Sequence, residues 1–556
     1  MEATPVDVDH DQQSALGALN LPHRAKLQIL GAILLGLFLG ALDQTIVGTA
    51  LPRIVTELGG NEYYVWVVTI YLLASTISVP FYGKLSDIFG RKPLLLGGIG
   101  LFLVGSALSG ISGDMVQLIV FRGIQGLGAG ALFPISLAVI GDLFTPAERG
   151  KYQGLFGAVF GISSLIGPAL GGFLTDTISW HWVFYVNLPI GAVSLYVIWR
   201  LLPNVAQAGV SRSFDWLGAI VFVVGISALL VGLTNKQTGD WTDPAVGGLI
   251  AAGVAITALF LAIEWRAKEP IVPLDLWRDR TYASSMIATF FISFGFFGAI
   301  IFLPRWFQFV QEVSATESGY QVLPLLIGLI GSSIVSGIVV SKTGRYKAVI
   351  MSGLVLMAIG LGLMTQLQSG TELPVLWAWM LITGIGIGPT LSVFTIVVQN
   401  AVPMSKLGVA TSNLTFFRQI GGSVGLAVVG TVFGVTFNEQ LVPQLVANGI
   451  PEDGARQLAQ LAGNAGGDVT GVGESLAIQL ADALPATLQP LIPGIVTAIH
   501  DAFSLAVAAT FVVGVVTTLI ALAATVAMRE IPLRTGFGPR SASSEGSAPA
   551  QPRAAA

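Results

Sequence analysis

The chain has 556 residues, of which 53% are hydrophobic and only 10% are charged, whereas ordinary soluble domains carry about 25% charged residues. This composition indicates an integral membrane protein. The formal charge of −4 and the absence of Cys argue against a nucleic-acid-binding surface, disulfides, thiol catalysis and a Cys-ligated metal.

The predicted elements begin after a polar, acidic segment at residues 1–26, which does not resemble a secretory signal. Windows of about 20 apolar residues then predict fourteen membrane-spanning helices and hence an all-α membrane fold. These predicted spans cover residues 28–50, 64–83, 93–112, 115–140, 152–174, 180–201, 216–234, 245–264, 283–303, 320–341, 348–366, 375–399, 409–433 and 503–527.

Basic residues predict the orientation of these spans. If the N-terminus is cytoplasmic, most of the 27 Lys and Arg residues lie in cytoplasmic segments, and four lie outside: Arg53, Lys236, Arg305 and Arg456. We therefore expect a multi-pass protein of the cytoplasmic (inner) membrane with both termini in the cytoplasm. Residues 434–502 then form an extracytoplasmic loop, interpreted as a solvated spacer in preference to a binding lid, in which "GARQLAQLA" is a candidate surface helix.

An internal repeat divides the chain. "GKLSDIFGRK" at residues 83–92 aligns with "GIVVSKTGRYK" at 337–347, except that Ser341 stands where the first copy has Asp87. A parallel repeat of this kind is a transporter architecture, with substrate handled between the halves. The predicted organisation is a cytoplasmic tail at 1–27, a six-helix bundle at 28–201, a linker with two extra helices at 202–270, a second six-helix bundle at 271–530 and a disordered cytoplasmic tail at 531–556.

Three further motifs complete the pattern: "ALDQTIVGTALP" in the first span, "RGIQGLGAG" at residues 122–130 and "GAVFGISSLIGPALGG" at 157–172. With "GKLSDIFGRK", they resemble the motifs of the major facilitator superfamily, and the chain is similar to its fourteen-helix drug:H⁺ antiporters, which are multidrug efflux transporters. The resemblance implies a major facilitator fold. It also implies a proton-coupled antiporter, not an enzyme, that exports lipophilic drugs, dyes or amphiphiles by alternating access and so confers antibiotic resistance.

Asp43 and Arg122 are the candidate proton-coupling pair. Each lies about 10 Å below the same membrane surface if a helix rises about 1.5 Å per residue, so the two side chains can meet. A charge at this depth is costly unless it is paired or used. The pair either joins two helices permanently or exchanges a proton during transport, and we favour proton exchange.

Two other motifs predict moving contacts. In the first repeat, Asp87 is expected to bind the N-terminus of the thirteenth span when the cytoplasmic side is closed, within a conformational gate formed by Gly83, Asp87, Gly90, Arg91 and Lys92. The antiporter motif is expected to allow close packing and a kink where the halves meet, through Gly161, Gly167, Pro168, Gly171 and Gly172.

The substrate site is predicted less sharply, because each aromatic residue in a span is equally compatible with packed core or lipid. The candidates are Tyr71, Gln125, Phe291, Phe394, Asn413, Phe417 and Arg418, with Phe133 and Phe160 as further aromatic candidates for the lining. With one deep carboxylate, monovalent lipophilic cations or neutral amphiphiles are the expected substrates.

No G-x-x-x-x-G-K-[ST] phosphate loop occurs, so the expected energy source is a proton gradient; Na⁺ is the alternative ion. No cofactor or metal is expected, and the predicted partners are a lipophilic small molecule, H⁺ and membrane lipids, with the chain as a monomer. An exporter of one endogenous lipid, siderophore or metabolite is the alternative function. A non-transporting scaffold would leave Asp43 dispensable.

Overall fold

The computed structural model describes residues 21–59, 63–204, 214–236, 239–267, 269–464 and 489–533. Over these residues it has fourteen helices long and apolar enough to cross a membrane, as predicted. The spans are α1 (His23–Leu58), α2 (Tyr64–Phe89), α3 (Arg91–Ser109), α4 (Met115–Leu143), α5 (Pro146–Thr177), α6 (Asn187–Leu201), α7 (Trp216–Asn235), α8 (Leu249–Glu264), α9 (Arg280–Val310), α10 (Leu323–Thr343), α11 (Tyr346–Met364), α12 (Leu373–Ala401), α13 (Leu407–Ala447) and α14 (Ile492–Ala527).

Several helices are longer than the apolar windows that predicted them. Hydropathy detects only the part of a helix that fits the hydrocarbon layer, whereas the helix itself continues until its backbone is broken. Gly59, Gly90 and Gly344 follow α1, α2 and α10 with φ of 70°, 91° and 71°, a left-handed conformation that favours Gly and ends a helix.

The helices form two six-helix bundles. One contains α1 to α6 and the other contains α9 to α14, and they meet where α2 packs on α13 and α5 packs on α10. The inserted helices α7 and α8 pack on each other, and α7 also contacts α2 and α13. This arrangement places the inserted pair against one seam between the bundles.

Glycines bring α5 and α10 into backbone contact across the other seam. A Cβ atom added to Gly337 would overlap the carbonyl oxygen of Gly150, and one added to Gly154 would lie 2.6 Å from the Cα atom of Ile334. Small residues of this kind permit close helix approach without side-chain interdigitation. The two bundles therefore touch tightly along this line.

Because the number of spans is even, the start of α1 and the end of α14 lie at the same end of the bundle, which we call the terminal end. At the opposite end, the prediction of a loop over residues 434–502 is partly wrong, because α13 continues to Ala447 and a further helix covers Glu452–Asn464. That helix includes the predicted "GARQLAQLA" segment and joins a small apolar cluster. The buried members of the cluster are Leu441, Leu445, Ile450, Ala455, Ile495, Ala498, Ile499 and Ala502.

Candidate functional site

Asp43 and Arg122 form an ion pair in the interior of the first bundle. Nη1 of Arg122 contacts Oδ2 of Asp43, and the side chain of Arg122 is 1% exposed and that of Asp43 is 0% exposed. The predicted pairing of α1 with α4 is therefore present in the structure. Asp43 and Arg122 are 79 positions apart in the sequence, and their equal predicted depth in the membrane was the signal that indicated the pair.

Amide side chains complete the surroundings of the Asp43 carboxylate. Oδ1 accepts hydrogen bonds from Nε2 of Gln125 at 2.8 Å and from Nδ2 of Asn187 at 3.2 Å. The Asn187 amide also donates to Oγ of Ser106, so the contact ties α6 and α3 to α1. Sequence reasoning missed Asn187, although an amide within an apolar predicted span was a detectable signal.

Aromatic rings enclose the Arg122 side of the pair. The guanidinium lies 4.2 Å from the ring centroid of Tyr71, and Nε donates to the carbonyl oxygen of Val67 at 3.4 Å. Tyr71 in turn donates from its hydroxyl to the carbonyl oxygen of Gly40. A cation on an aromatic face is stabilised most when both are removed from water, as here.

At the terminal end, Asp87 joins the two bundles. Its carboxylate accepts hydrogen bonds from the backbone N–H groups of Gly408 and Val409, at 3.1 and 2.9 Å, where α13 begins. Arg91 pairs with the same carboxylate at 2.6 Å and with Asp142 at 3.0 Å. The predicted contact between Asp87 and the α13 N-terminus is thus present, and we call it the latch.

The other residues predicted for the gate surround the latch. Gly83 allows α13 to approach, because a Cβ atom there would overlap Ser412, and Gly90 makes the turn between α2 and α3. Lys92 is half-buried in the first turn of α3. Sequence reasoning missed Glu269, which pairs with Lys84 at 2.8 Å, because no motif links these distant positions.

The second repeat has the same geometry without the charge. Ser341 lies at the end of α10 next to Gly150, near the start of α5, and its hydroxyl has no hydrogen-bond partner among the described residues. Neighbouring amides supply another bond between the bundles, since Nε2 of Gln153 donates to Oε1 of Gln399 at 3.1 Å. Among the described residues, the charged latch accordingly lies at the α2–α13 seam.

We expect Asp87→Asn to open the terminal end and lower transport. The substitution removes the charge that faces the N-terminus of α13, a contribution of about 0.3–2 kcal/mol per site. The chain has no Cys, so Ser412→Cys, at a buried position behind the latch, can report opening through maleimide labelling. Labelling is expected to rise in Asp87→Asn.

Asp275→Asn is the matched control for this prediction, because Asp275 forms an exposed ion pair with Lys406 beside the same helix start. It should leave labelling and transport near wild type, since exposed pairs contribute little. Equal labelling of wild type and Asp87→Asn, together with unchanged transport, would show that the latch does not hold this end closed.

Helix α5 meets two different partners. Gly161 faces the second bundle, where a Cβ atom would lie 2.5 Å from Cδ1 of Ile330, as predicted for the interface between the halves. Gly167 and Gly171 instead face α1 of their own bundle, at Thr45 and Ile46. They allow α5 to pack against α1 within one turn of Asp43, and Pro168 lies between them inside the helix.

The expectation of close packing at Gly172 is wrong, because a Cβ atom there would meet nothing within 4 Å. At Gly171 the same atom would lie 2.8 Å from the carbonyl oxygen of Ile46, which is too close for any side chain. A helix turns about 100° per residue, so neighbouring glycines point in different directions.

This difference gives a second prediction. Gly171→Leu is expected to abolish most export by separating α5 from α1, whereas Gly172→Leu should retain it. Expression and gel-filtration profiles of both variants show whether each folds. If the two variants export equally well, the packing of α5 on α1 is not required for transport.

A cavity of about 1190 Å³, including open solvent, lies between the bundles next to the ion pair. Its lining combines aromatic side chains with hydroxyl and amide groups. Arg418 contributes a formally charged side chain to this lining. The lining is Gly40, Gln44, Tyr71, Leu72, Ser75, Thr76, Ala129, Phe133, Leu137, Phe156, Gly157, Phe160, Phe296, Phe297, Leu391, Thr415, Arg418, Gln419, Gly422, Ser423 and Leu426.

The candidate substrate residues divide into two groups. Tyr71, Arg418 and the two further aromatics Phe133 and Phe160 line this cavity. The other candidates lie outside its lining and contact protein. Gln125 donates to Asp43, and Asn413 donates to the Tyr282 hydroxyl. Phe394 is fully buried in the second bundle, Phe291 packs on Phe290, and Phe417 packs on Trp277.

Two helical bundles enclose a central cavity, a buried titratable pair lies beside the cavity, and a seam joins the bundles at one end. Together these features define a membrane transporter. The family model described as "Major Facilitator Superfamily" matches residues 33–426. The chain belongs to this superfamily.

Two relatives from Bacillus subtilis (strain 168) are similar over most of the chain. "Multidrug transporter protein MdtP" is 40% identical over 440 residues, which cover 78% of this chain and 81% of the relative. "Multidrug resistance protein 3" is 39% identical over 417 residues, covering 75% and 81%. Among solved structures, the proton:xylose symporter XylE aligns with a TM-score of 0.55 at 13% identity, covering 92% of this chain and 95% of XylE, which supports the fold.

Proposed function

We propose that the protein is a proton-coupled antiporter that exports lipophilic drugs, dyes or amphiphiles across the cytoplasmic membrane. The observation that carries this proposal is the fully buried Asp43–Arg122 pair beside the central cavity. Intramembrane ionisable groups are costly and commonly mark proton or substrate pathways. The names of the two Bacillus relatives favour drugs as the substrates.

In this proposal the terminal end is cytoplasmic, and the structure corresponds to the state closed toward the cytoplasm. The latch and the Gln153–Gln399 bond hold that end together. Protonation of Asp43 neutralises the carboxylate and removes the charge partner of Arg122, which weakens the contacts among α1, α4 and α6. The packing of α5 on α1 beside Asp43 then offers a route by which the proton affects the seam between the bundles.

Tyr71 separates the ion pair from the cavity. Its ring contacts Arg122 on one side, and the same residue lines the cavity. Gly40 and Gln44, which flank Asp43 on α1, also line it. A rearrangement of these few groups would admit water to the carboxylate, so substrate binding and proton exchange can influence each other without sharing an atom.

Transport by purified protein in liposomes tests the proposal. A pH gradient alone, with the membrane potential held at zero by valinomycin and K⁺, should drive movement of at least one dye from a panel of ethidium, Nile red and pyrenebutanoate. An equal Na⁺ gradient should not. Failure of the pH gradient to move any of the three, in protein that is folded and correctly inserted, would contradict proton-coupled export.

A further inference from the structure

We propose that the central cavity binds an amphiphilic monoanion, with Arg418 receiving its acidic group and the aromatic wall receiving its apolar body. The inference rests on the proposed export function and names the substrate class of the same site. It differs from the expectation of monovalent lipophilic cations or neutral amphiphiles, which took the Asp43 carboxylate as the charge of the cavity. Asp43 does not line the cavity and is already paired with Arg122.

Arg418 is a cation without a counter-ion. Its Nη2 atom is buried and has no hydrogen-bond partner, and no ion pair or ring contact of its side chain is found among the described residues. The rest of the side chain borders the cavity. A guanidinium partly removed from water without a counter-ion carries a desolvation cost, which an anion in the cavity would relieve.

A second polar group accompanies Arg418. A small recess beside the cavity is lined by Arg418 together with Thr289 and Ser293 of α9 and Thr390 of α12. The Ser293 and Thr390 hydroxyls donate to backbone carbonyls of their own helices, whereas the buried Thr289 hydroxyl has no partner in the part of the chain that the structure describes. The recess therefore offers one free hydroxyl donor next to the guanidinium.

The aromatic part of the cavity lining suits an apolar body. Phe133, Phe156 and Phe160 of the first bundle line the cavity together with Phe296 and Phe297 of the second, and the rings of Phe160 and Phe296 lie against each other with centroids 6.4 Å apart. Because the acidic group and the apolar body would contact both bundles, such a ligand bridges the halves that alternating access must move.

The matched probes are pyrenebutanoate and its primary amide, which share one hydrocarbon body and differ in charge. In purified full-length protein in a maltoside detergent, equilibrium dialysis should show the carboxylate binding about tenfold or more tightly than the amide. Arg418→Gln should remove this difference, and Arg418→Lys should keep most of it. Ethidium, as a cation, should bind more weakly than the carboxylate.

An equal affinity of wild type for carboxylate and amide would overturn the proposal, as would a carboxylate preference that survives in folded Arg418→Gln protein. The wild-type comparison stands even if Arg418→Gln does not fold. Export of ethidium but not pyrenebutanoate in the liposome assay would refute the anion site and leave the proposed export function intact. If ethidium, pyrenebutanoate and Nile red all fail to move, that result would contradict export itself.

An anionic lipid headgroup has the same chemistry as a soluble amphiphile, and competition separates the two sources. Dioleoylphosphatidylglycerol that displaces pyrenebutanoate, when dioleoylphosphatidylcholine does not, assigns the anion site to a lipid. Displacement by neither lipid, with the carboxylate preference retained, assigns it to a soluble amphiphile.

Discussion

Asp43→Asn is expected to abolish export driven by a pH gradient while the protein remains folded. An amide has no proton to exchange near neutral pH, but it can still hydrogen-bond to Gln125 and Asn187 and avoids the cost of a buried charge. Arg122 loses its counter-ion, so a modest loss of stability is expected as well. Dye movement in liposomes with an imposed pH gradient measures the effect.

The control for this prediction is Asp176→Asn, which makes the same chemical change at an exposed acid near the end of α5. It should export at the wild-type rate. If Asp43→Asn also exports at that rate and still responds to the gradient, Asp43 does not couple transport to protons. Acids at the opposite end, such as Glu312 or Glu317, would then be the next candidates.

Gly337→Ala is expected to prevent closure of the terminal end and so to halt the transport cycle. The added methyl group would overlap the carbonyl oxygen of Gly150, and neither backbone can yield without separating α5 from α10. Overpacking of this kind costs about 1–3 kcal/mol, which changes the ratio of closed to open states by about fivefold to 150-fold. Maleimide labelling of Ser412→Cys should rise accordingly.

Gly331→Ala is the matched control, because Gly331 lies on the same helix and an added Cβ atom there meets nothing within 4 Å. Its labelling and export should match those of the parent protein. Similar labelling of both variants and the parent would show that the Gly150–Gly337 contact does not determine whether this end is closed.

The sequence predicts well those features that charge and length control. Apolar length gives the number of spans, and the cost of isolated charges in lipid correctly suggests that Asp43 meets Arg122. The positive end of a helix correctly suggests that Asp87 meets the start of α13. The helix bounds differ from the apolar windows because a helix ends where it is capped. For this reason α1 and α13 extend beyond their apolar windows, to Leu58 and Ala447.

The direction in which an apolar residue points is harder to predict. In a membrane helix the lipid-facing and core-facing sides are both apolar, so the periodicity that reveals a buried face in a soluble helix is weak. Phe394 and Phe160 have the same sequence character, yet the first lies in the core and the second lines the cavity. The expected packing of Gly172 is wrong for the same reason. Gly171 and Gly172 have the same sequence character, but of the two only Gly171 faces a helix.

Proton release on substrate binding tests most directly the central claim that Asp43 couples the proton to transport. Purified protein in weakly buffered detergent is mixed with pyrenebutanoate or ethidium, a pH indicator follows the released protons, and dialysis verifies that the probe binds. Wild type is expected to release protons with at least one bound probe, and Asp43→Asn to bind a probe without release. Release from Asp43→Asn equal to that from wild type, or binding to wild type with no release from either probe, would contradict the account.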